Sequence, residues 1–234
     1  MKVASKLIVL FKDPEGFGTS IYNALQPNPN SSLSKSVTNF ELSLLEYGIK
    51  DQKACAHLAN FVDNNGFIQV SLLLVEHYEP PVLPCALHEI LRSITREYQS
   101  SDVILTLPYI LSAAKLKSDD KNSSLNNEGS SLYGLQMGPT MAFTKEIIRT
   151  VEQAPSSLKI HYEPLACLLQ FVHCLKFPTA VLIGIIGVKG EQEVLLKLGE
   201  HLANAFSLSF DRIQIKLNTR TTTKTEEPWR ALYG

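Results

Sequence analysis

Short runs of apolar residues, each bounded by turn-forming residues, recur along the chain and predict β-strands. The first covers residues 6–11, and the run at residues 69–75 is apolar at most positions, which is typical of a strand covered on both faces. The sequence Asp-Asn-Asn-Gly at residues 63–66 predicts a hairpin turn between two strands. Further strands are predicted at residues 102–107, 132–138, 158–162 and 178–186.

Helical spacing of apolar residues separates these strands. The clearest helix covers residues 191–206, where Val194, Leu198 and Leu202 lie on one stripe. Other helices are predicted at residues 20–25, 84–98, 140–152 and 164–175, while residues 40–47 fit a short helix or a strand. Strands that alternate with helices predict an α/β domain with helices on both sides of one sheet, and the hairpin makes that sheet mixed.

Three polar segments interrupt this pattern. Residues 26–39 are rich in Pro, Asn and Ser and predict a surface loop, and residues 115–131 predict a mobile loop or an insertion. Residues 218–228 are Thr-rich, without apolar periodicity, and predict a flexible tether. We therefore expect one α/β domain over residues 1–217, followed by a tail over residues 218–234.

Composition narrows the classes of function. The chain of 234 residues is 44% hydrophobic and 19% charged, which is ordinary for a soluble globular protein. Its net charge of −1, without a basic stripe, disfavours nucleic-acid binding, and its apolar runs are too short to span a bilayer. The 4 cysteines form no CxxC pair, and three lie in segments predicted to be buried. Free thiols in a reducing compartment fit better than disulfides or zinc.

The tetrapeptide His-Tyr-Glu-Pro occurs twice, each time after a predicted strand and before a predicted helix. If both junctions meet at one edge of a parallel sheet, His77, Glu79, His161 and Glu163 approach the crevice where α/β sheets bind ligands. A metal site or an acid/base pair would then indicate a hydrolase or phosphorylase-like enzyme. We favour a structural role, with Pro in the first helical turn and Glu at the positive end of the helix dipole. The chain contains no GxSxG or HExxH motif, and we expect no cofactor.

The C-terminal sequence predicts a docking segment. Gly234 would offer a carboxylate for charge-assisted hydrogen bonds to a lysine, Tyr233 offers a large ring with a polar tip, and Leu232 adds apolar area. Trp229, the single tryptophan, follows the polar tether. It predicts that this end of the chain docks, either on a partner or back onto the body.

These residues form the hydrophobic-Tyr-X (HbYX) ending used by partners of the proteasome. With this ending, its size, its α/β body and its tether, the chain resembles the proteasome assembly chaperones, in particular the first subunit of the heterodimer that sits on the α-ring. Residues 1–17, 161–167 and 226–234 also resemble an uncharacterised plant protein group, which implies no function. The chaperone resemblance implies a three-layer α/β/α fold of the phosphorylase/hydrolase class, used as a scaffold without catalysis.

Carried onto this chain, the resemblance implies a non-enzymatic chaperone for assembly of the proteasome core particle. The carboxylate of Gly234 would contact a pocket lysine, Tyr233 would insert between adjacent α-subunits, and Leu232 would pack in an apolar recess. The implied partners are α-ring subunits and a second chaperone subunit, with neither nucleic acid nor membrane. The implied compartment is the cytoplasm, with the nucleus as a second location.

Overall fold

The structure, a computed structural model, describes residues 1–112, 116–117, 132–155, 158–186 and 190–215. Its strands are β1 (Lys6–Phe11), β2 (Leu25–Gln26), β3 (Ser34–Ser43), β4 (Lys53–Val62), β5 (Ile68–Val75), β6 (Ile104–Ser112), β7 (Leu116–Lys117), β8 (Leu132–Met137), β9 (Glu152–Gln153), β10 (Lys159–Ile160), β11 (Thr179–Ile186) and β12 (Ser209–Phe210). Its α-helices are α1 (Phe17–Ala24), α2 (Val82–Thr95), α3 (Ala142–Arg149), α4 (Glu163–Leu175) and α5 (Glu191–Phe206).

An eight-stranded mixed sheet forms the centre, with strand order β3-β4-β5-β1-β6-β11-β8-β9. Strands β5, β1, β6 and β11 run parallel to their neighbours in this group. Strands β3, β4 and β5 form antiparallel pairs at one side, and β8 pairs antiparallel with β11 at the other. The short pairs β7–β10 and β2–β12 lie outside this sheet.

Strand β1 shows how the sequence produces three layers. Leu7 and Val9 face the apolar cluster that contains α2 and α4, whereas Ile8 and Leu10 face the cluster that contains α1, α3 and α5. All four side chains are buried because helices cover both faces of the sheet. The predicted α/β fold, with helices on both sides of a mixed sheet, is therefore confirmed.

Several predicted elements are confirmed in detail. The strand at residues 6–11 and the helix at residues 191–206 have the predicted bounds. The hairpin between β4 and β5 is present, with the N–H of Asp63 donating to the carbonyl of Phe67 and Gly66 at φ 82°. Within β5, residues 70–75 are buried, as expected for a strand covered on both faces.

Four predictions need correction. Residues 34–39 belong to β3 and not to a surface loop, because β4 pairs with them along the sheet edge. Leu116 and Lys117 pair with β10, and the rest of the predicted loop at residues 115–131 lies outside the described residues. The strand predicted at residues 158–162 is limited to β10, which lies outside the main sheet. The helix predicted at residues 140–152 is shorter, because residues 152–153 form β9 beside β8.

Lys35 anchors the edge strand β3 to the end of α1. Its Nζ atom donates to the backbone oxygens of Tyr22 (3.1 Å) and Leu25 (2.9 Å), and it lies over the rings of Tyr22 and Phe61. Burial lowers the pKa of Lys35 to about 8 from its ordinary 10.5. The carbonyl oxygens and aromatic rings around the ammonium group thus replace part of its hydration shell.

Between about pH 8 and pH 10.5 the unfolded chain binds more protons at Lys35 than the folded chain does. The free energy of unfolding is therefore expected to rise with pH across this range, and the variant Lys35→Met should lack that rise. Urea unfolding at intervals from about pH 7.5 to pH 9.5, below tyrosine titration, measures it. The control Lys53→Met removes an exposed lysine of β4 whose pKa is raised, and it should retain the rise. Parallel pH curves for wild type and Lys35→Met would contradict this account.

Candidate functional site

A partly open crevice lies at the carboxyl ends of β1 and β6, which are neighbours in the sheet. After β1 the chain forms β3, β4 and β5, which lie on one side of β1 in the sheet. Helix α2 then connects β5 to β6, which lies on the other side of β1. Such a switch point is where open α/β sheets usually bind ligands. The crevice has a cavity volume of about 20 Å³. Its lining residues are Phe11, Asp13, Glu15, Phe17, Gly18, Ile21, Pro108, Tyr109, Ile110 and Tyr162.

The turn between β1 and α1 builds one wall of this crevice. Gly16 has a φ of 83°, which favours glycine, and α1 begins at the next residue. Gly18 approaches the strand so closely that a Cβ atom would lie 1.9 Å from the carbonyl oxygen of Phe11. The Asp13 carboxylate accepts the N–H groups of Phe17 (3.0 Å) and Gly18 (2.7 Å). The turn thus fixes a carboxylate at the positive end of α1.

The electrostatics of the crevice follow from its burial. Burial raises the pKa of Asp13, although the N–H bonds from Gly18 and Phe17 act in the opposite direction. Burial also raises the pKa of Tyr109 and of Tyr162, and the negative charge of Asp13 adds to both shifts. The rings of Tyr109 and Tyr162 are 6.0 Å apart in an edge-to-face arrangement. At neutral pH both tyrosines therefore keep their hydroxyl protons.

The two His-Tyr-Glu-Pro copies place their charged residues at the surface. His77 and Glu79 are exposed, and Nε2 of His77 lies 2.9 Å from Oε1 of Glu79. His161 and Glu163 are also exposed. Among the described residues, no hydrogen bond or ion pair joins one copy to the other. Glu163 begins α4 with Pro164 in its first turn, as the structural interpretation requires. That interpretation was wrong for the first copy, because α2 begins at Val82, after Glu79 and Pro80.

The tyrosines of the two copies point inward and differ in role. The hydroxyl of Tyr78 accepts the N–H of Cys55 and lies 3.1 Å from the carbonyl oxygen of Lys53, so it joins the end of β5 to β4. Tyr162 lines the crevice instead. Asp13, Tyr109 and Tyr162 are not among the site residues predicted from the sequence; the one available signal is an Asp at the end of a buried strand, three residues before Gly16 and five residues before Gly18.

No metal centre is present in the part of the chain that the structure describes, since it holds no cluster of three or more His, Cys, Asp or Glu side chains. The four cysteines are free thiols. Cys55, Cys85 and Cys167 are half-buried and Cys174 is exposed. Cys85 and Cys167 pack against the apolar cluster that contains α2 and α4. Among the described helices, none has the length and apolar character needed to span a membrane.

The residues predicted to bind a partner, Trp229, Leu232, Tyr233 and Gly234, lie outside the described residues. The tether predicted at residues 218–228 lies there as well. Their roles, and the division of the chain at residue 217, remain predictions from the sequence.

Comparison with solved structures identifies the fold. A protein of unknown function from Corynebacterium glutamicum matches with a TM-score of 0.54 and 10% identity, covering 100% of this chain and 84% of that chain. The archaeal proteasome activator PbaB of Pyrococcus furiosus matches with a TM-score of 0.51 and 10% identity, covering 100% and 96%. PbaA of the same organism, an archaeal homologue of proteasome-assembly chaperone, matches with a TM-score of 0.50 and 12% identity, covering 100% and 89%.

At this level of identity the similarity shows the fold alone. The fold implied by the resemblance to proteasome assembly chaperones is confirmed. One family model, described as a domain of unknown function (DUF7894), matches residues 1–234. No match to the sequence was found among the curated proteins.

Proposed function

We propose that this chain, which belongs to the DUF7894 family, is a non-enzymatic chaperone for assembly of the proteasome core particle. The observation that carries the proposal is the fold, shared over the whole chain with an archaeal proteasome activator and an archaeal homologue of proteasome-assembly chaperone. The hydrophobic-Tyr-X ending supports it independently, because it is a sequence feature that the fold does not require.

Docking occurs through the C-terminal residues. The Gly234 carboxylate bonds a lysine in a pocket between adjacent α-subunits, and Gly234 has no side chain to hinder that approach. Tyr233 fills the gap between the subunits, with its ring desolvated and its hydroxyl hydrogen-bonded. Leu232 packs in an apolar recess, and Trp229 anchors the tail. The polar residues 218–228 serve as the tether.

A second chaperone subunit pairs with this chain, so that two tails reach one α-ring. Binding of the first tail raises the effective concentration of the second, and two weak contacts then give a stable complex. Occupied pockets guide ring assembly and exclude other particles that use the same pockets. This action takes place in the cytoplasm, and in the nucleus where core particles assemble there.

An enzyme is not favoured by the described residues. His77, Glu79, His161 and Glu163 are exposed, and the two pairs do not form a common site. Buried or closely coupled groups are the usual basis of acid/base catalysis. We therefore assign the His-Tyr-Glu-Pro copies to strand and helix boundaries.

The test measures binding of the purified chain, tagged at its N-terminus, to α-rings from the same source. Tyr233→Ala is expected to weaken binding about 30-fold, as for a central aromatic contact worth about 2 kcal/mol. The double variant His77→Ala/His161→Ala serves as the control and should bind like wild type. Equal affinity of Tyr233→Ala and wild type would reject docking through the tail. Loss of binding in the double variant would indicate that the His/Glu residues take part in binding.

A further inference from the structure

The crevice at the carboxyl ends of β1 and β6 has aromatic walls. The rings of Phe11 and Tyr109 are 5.7 Å apart, and those of Tyr109 and Tyr162 are 6.0 Å apart. Phe17 adds a fourth aromatic ring to the lining. The faces of such rings are electron-rich and attract cations.

One buried polar group in this crevice has no partner. Tyr109 is 6% exposed, and its hydroxyl oxygen makes no hydrogen bond. Leaving a hydroxyl buried and unsatisfied is costly, so such groups in native proteins usually serve a ligand, a water or a catalytic step. Tyr109 and Asp13 both line the crevice, and the charge of Asp13 contributes to the raised pKa of Tyr109.

The charges in the crevice exclude an anion. Asp13 already occupies the positive end of α1, and Glu15 adds a second carboxylate to the lining. None of the lining residues is Lys, Arg or His. Each Asp13 oxygen accepts one N–H and retains acceptor capacity for a further donor.

We propose that this crevice binds a primary alkylammonium group. The ammonium donates to the Asp13 carboxylate and to the Tyr109 hydroxyl oxygen, while the aromatic rings face its positive charge. The cavity of about 20 Å³ accommodates a group of the size of one water molecule. It therefore selects a compact –NH3⁺ head and excludes a quaternary ammonium. The site belongs to the folded body, so failure of tail docking would leave it unaffected.

The experiment titrates the full chain, labelled with ¹⁵N, with n-butylammonium chloride and follows the amide signals of Phe17 and Gly18. These N–H groups bond Asp13, so they report its occupancy directly. Saturable shifts with a Kd of about 1 mM are expected for so small a ligand. Neutral n-butanol and the bulky tetramethylammonium ion should cause no saturable shift. Equal responses to n-butanol and n-butylammonium would overturn the proposal.

Two tyrosine variants distinguish a loss of ligand affinity from a loss of protein stability. Tyr109→Phe removes a buried hydroxyl that has no partner, so the protein should fold at least as well as wild type. Its affinity for n-butylammonium should fall about five-fold, whereas Tyr98→Phe, outside the crevice, should leave affinity unchanged. If Tyr109→Phe binds n-butylammonium as tightly as wild type, the assignment is wrong.

A second titration identifies the source of the alkylammonium group. The blocked peptide Ala-Lys-Ala presents the same head on a protein side chain. Binding at least as tight as that of n-butylammonium assigns the site to a lysine of a partner protein. Binding of n-butylammonium alone assigns it to a free amine, and the absence of both overturns the proposal.

Discussion

Replacing Gly18 by alanine is expected to destabilise the protein by about 3 kcal/mol or more. A Cβ atom at this position would lie 1.9 Å from the carbonyl oxygen and 2.9 Å from the carbonyl carbon of Phe11. Neither atom can yield easily, because Phe11 ends the central strand β1 and Gly18 lies in the first turn of α1. The helix must move away from the sheet, which also breaks the bonds from Asp13 to the N–H groups of Phe17 and Gly18.

Urea unfolding of wild type and Gly18→Ala measures this loss. Gly48→Ala is the matched control, since its Cβ atom meets nothing within 4 Å and only its φ of +77° opposes alanine. That backbone strain alone costs about 1 kcal/mol. If Gly18→Ala loses no more stability than Gly48→Ala, the close approach of α1 to β1 is not a determinant of the fold.

The buried elements of the fold could be predicted because their sequence patterns are local. Residues 7–11 form an unbroken apolar run, and residues 191–206 carry one apolar stripe that ends at Phe206. In both cases burial on a sheet or helix face imposes the pattern, so the pattern indicates the element.

The first part of the edge strand β3, residues 34–39, could not be predicted in this way. These residues are exposed apart from Lys35, which is half-buried, because β3 lies at the edge of the sheet with one neighbouring strand. Residues 34–39 show no apolar alternation, and their Ser and Asn residues suggest a loop. Pairing with β4 decides the structure here, and that pairing is a long-range effect.

The residues that line the crevice could not be predicted from the sequence for the same reason. Its repetition makes the tetrapeptide at residues 161–164 recognisable in the sequence, but the pattern points to His161 and Glu163 rather than to Tyr162. Asp13, Tyr109 and Tyr162 come together because β1 and β6 are neighbours and the segment before α4 packs over them. The order of the strands in the sheet brings these residues together, and their spacing along the sequence does not predict it.

Removing residues 232–234 is the change with the largest expected effect on function. The truncation removes the carboxylate, the tyrosine ring and the leucine side chain together, so binding to the α-ring should fall by more than 100-fold. The stability of residues 1–217 should not change, because the removed residues act on a partner in the proposed function. Equal urea unfolding curves for the two proteins would establish that the loss concerns docking.

The most direct test of the chaperone function is a pull-down from native cell extract with the N-terminally tagged chain, full-length or lacking residues 232–234. The full-length chain should recover proteasome α-subunits together with a second chaperone-like chain. The truncated chain should retain the second chain and lose the α-subunits, because in the proposed function pairing uses the body and docking uses the tail. If neither protein recovers a proteasome subunit, the chain is not a proteasome assembly chaperone and its ending is a coincidence of sequence.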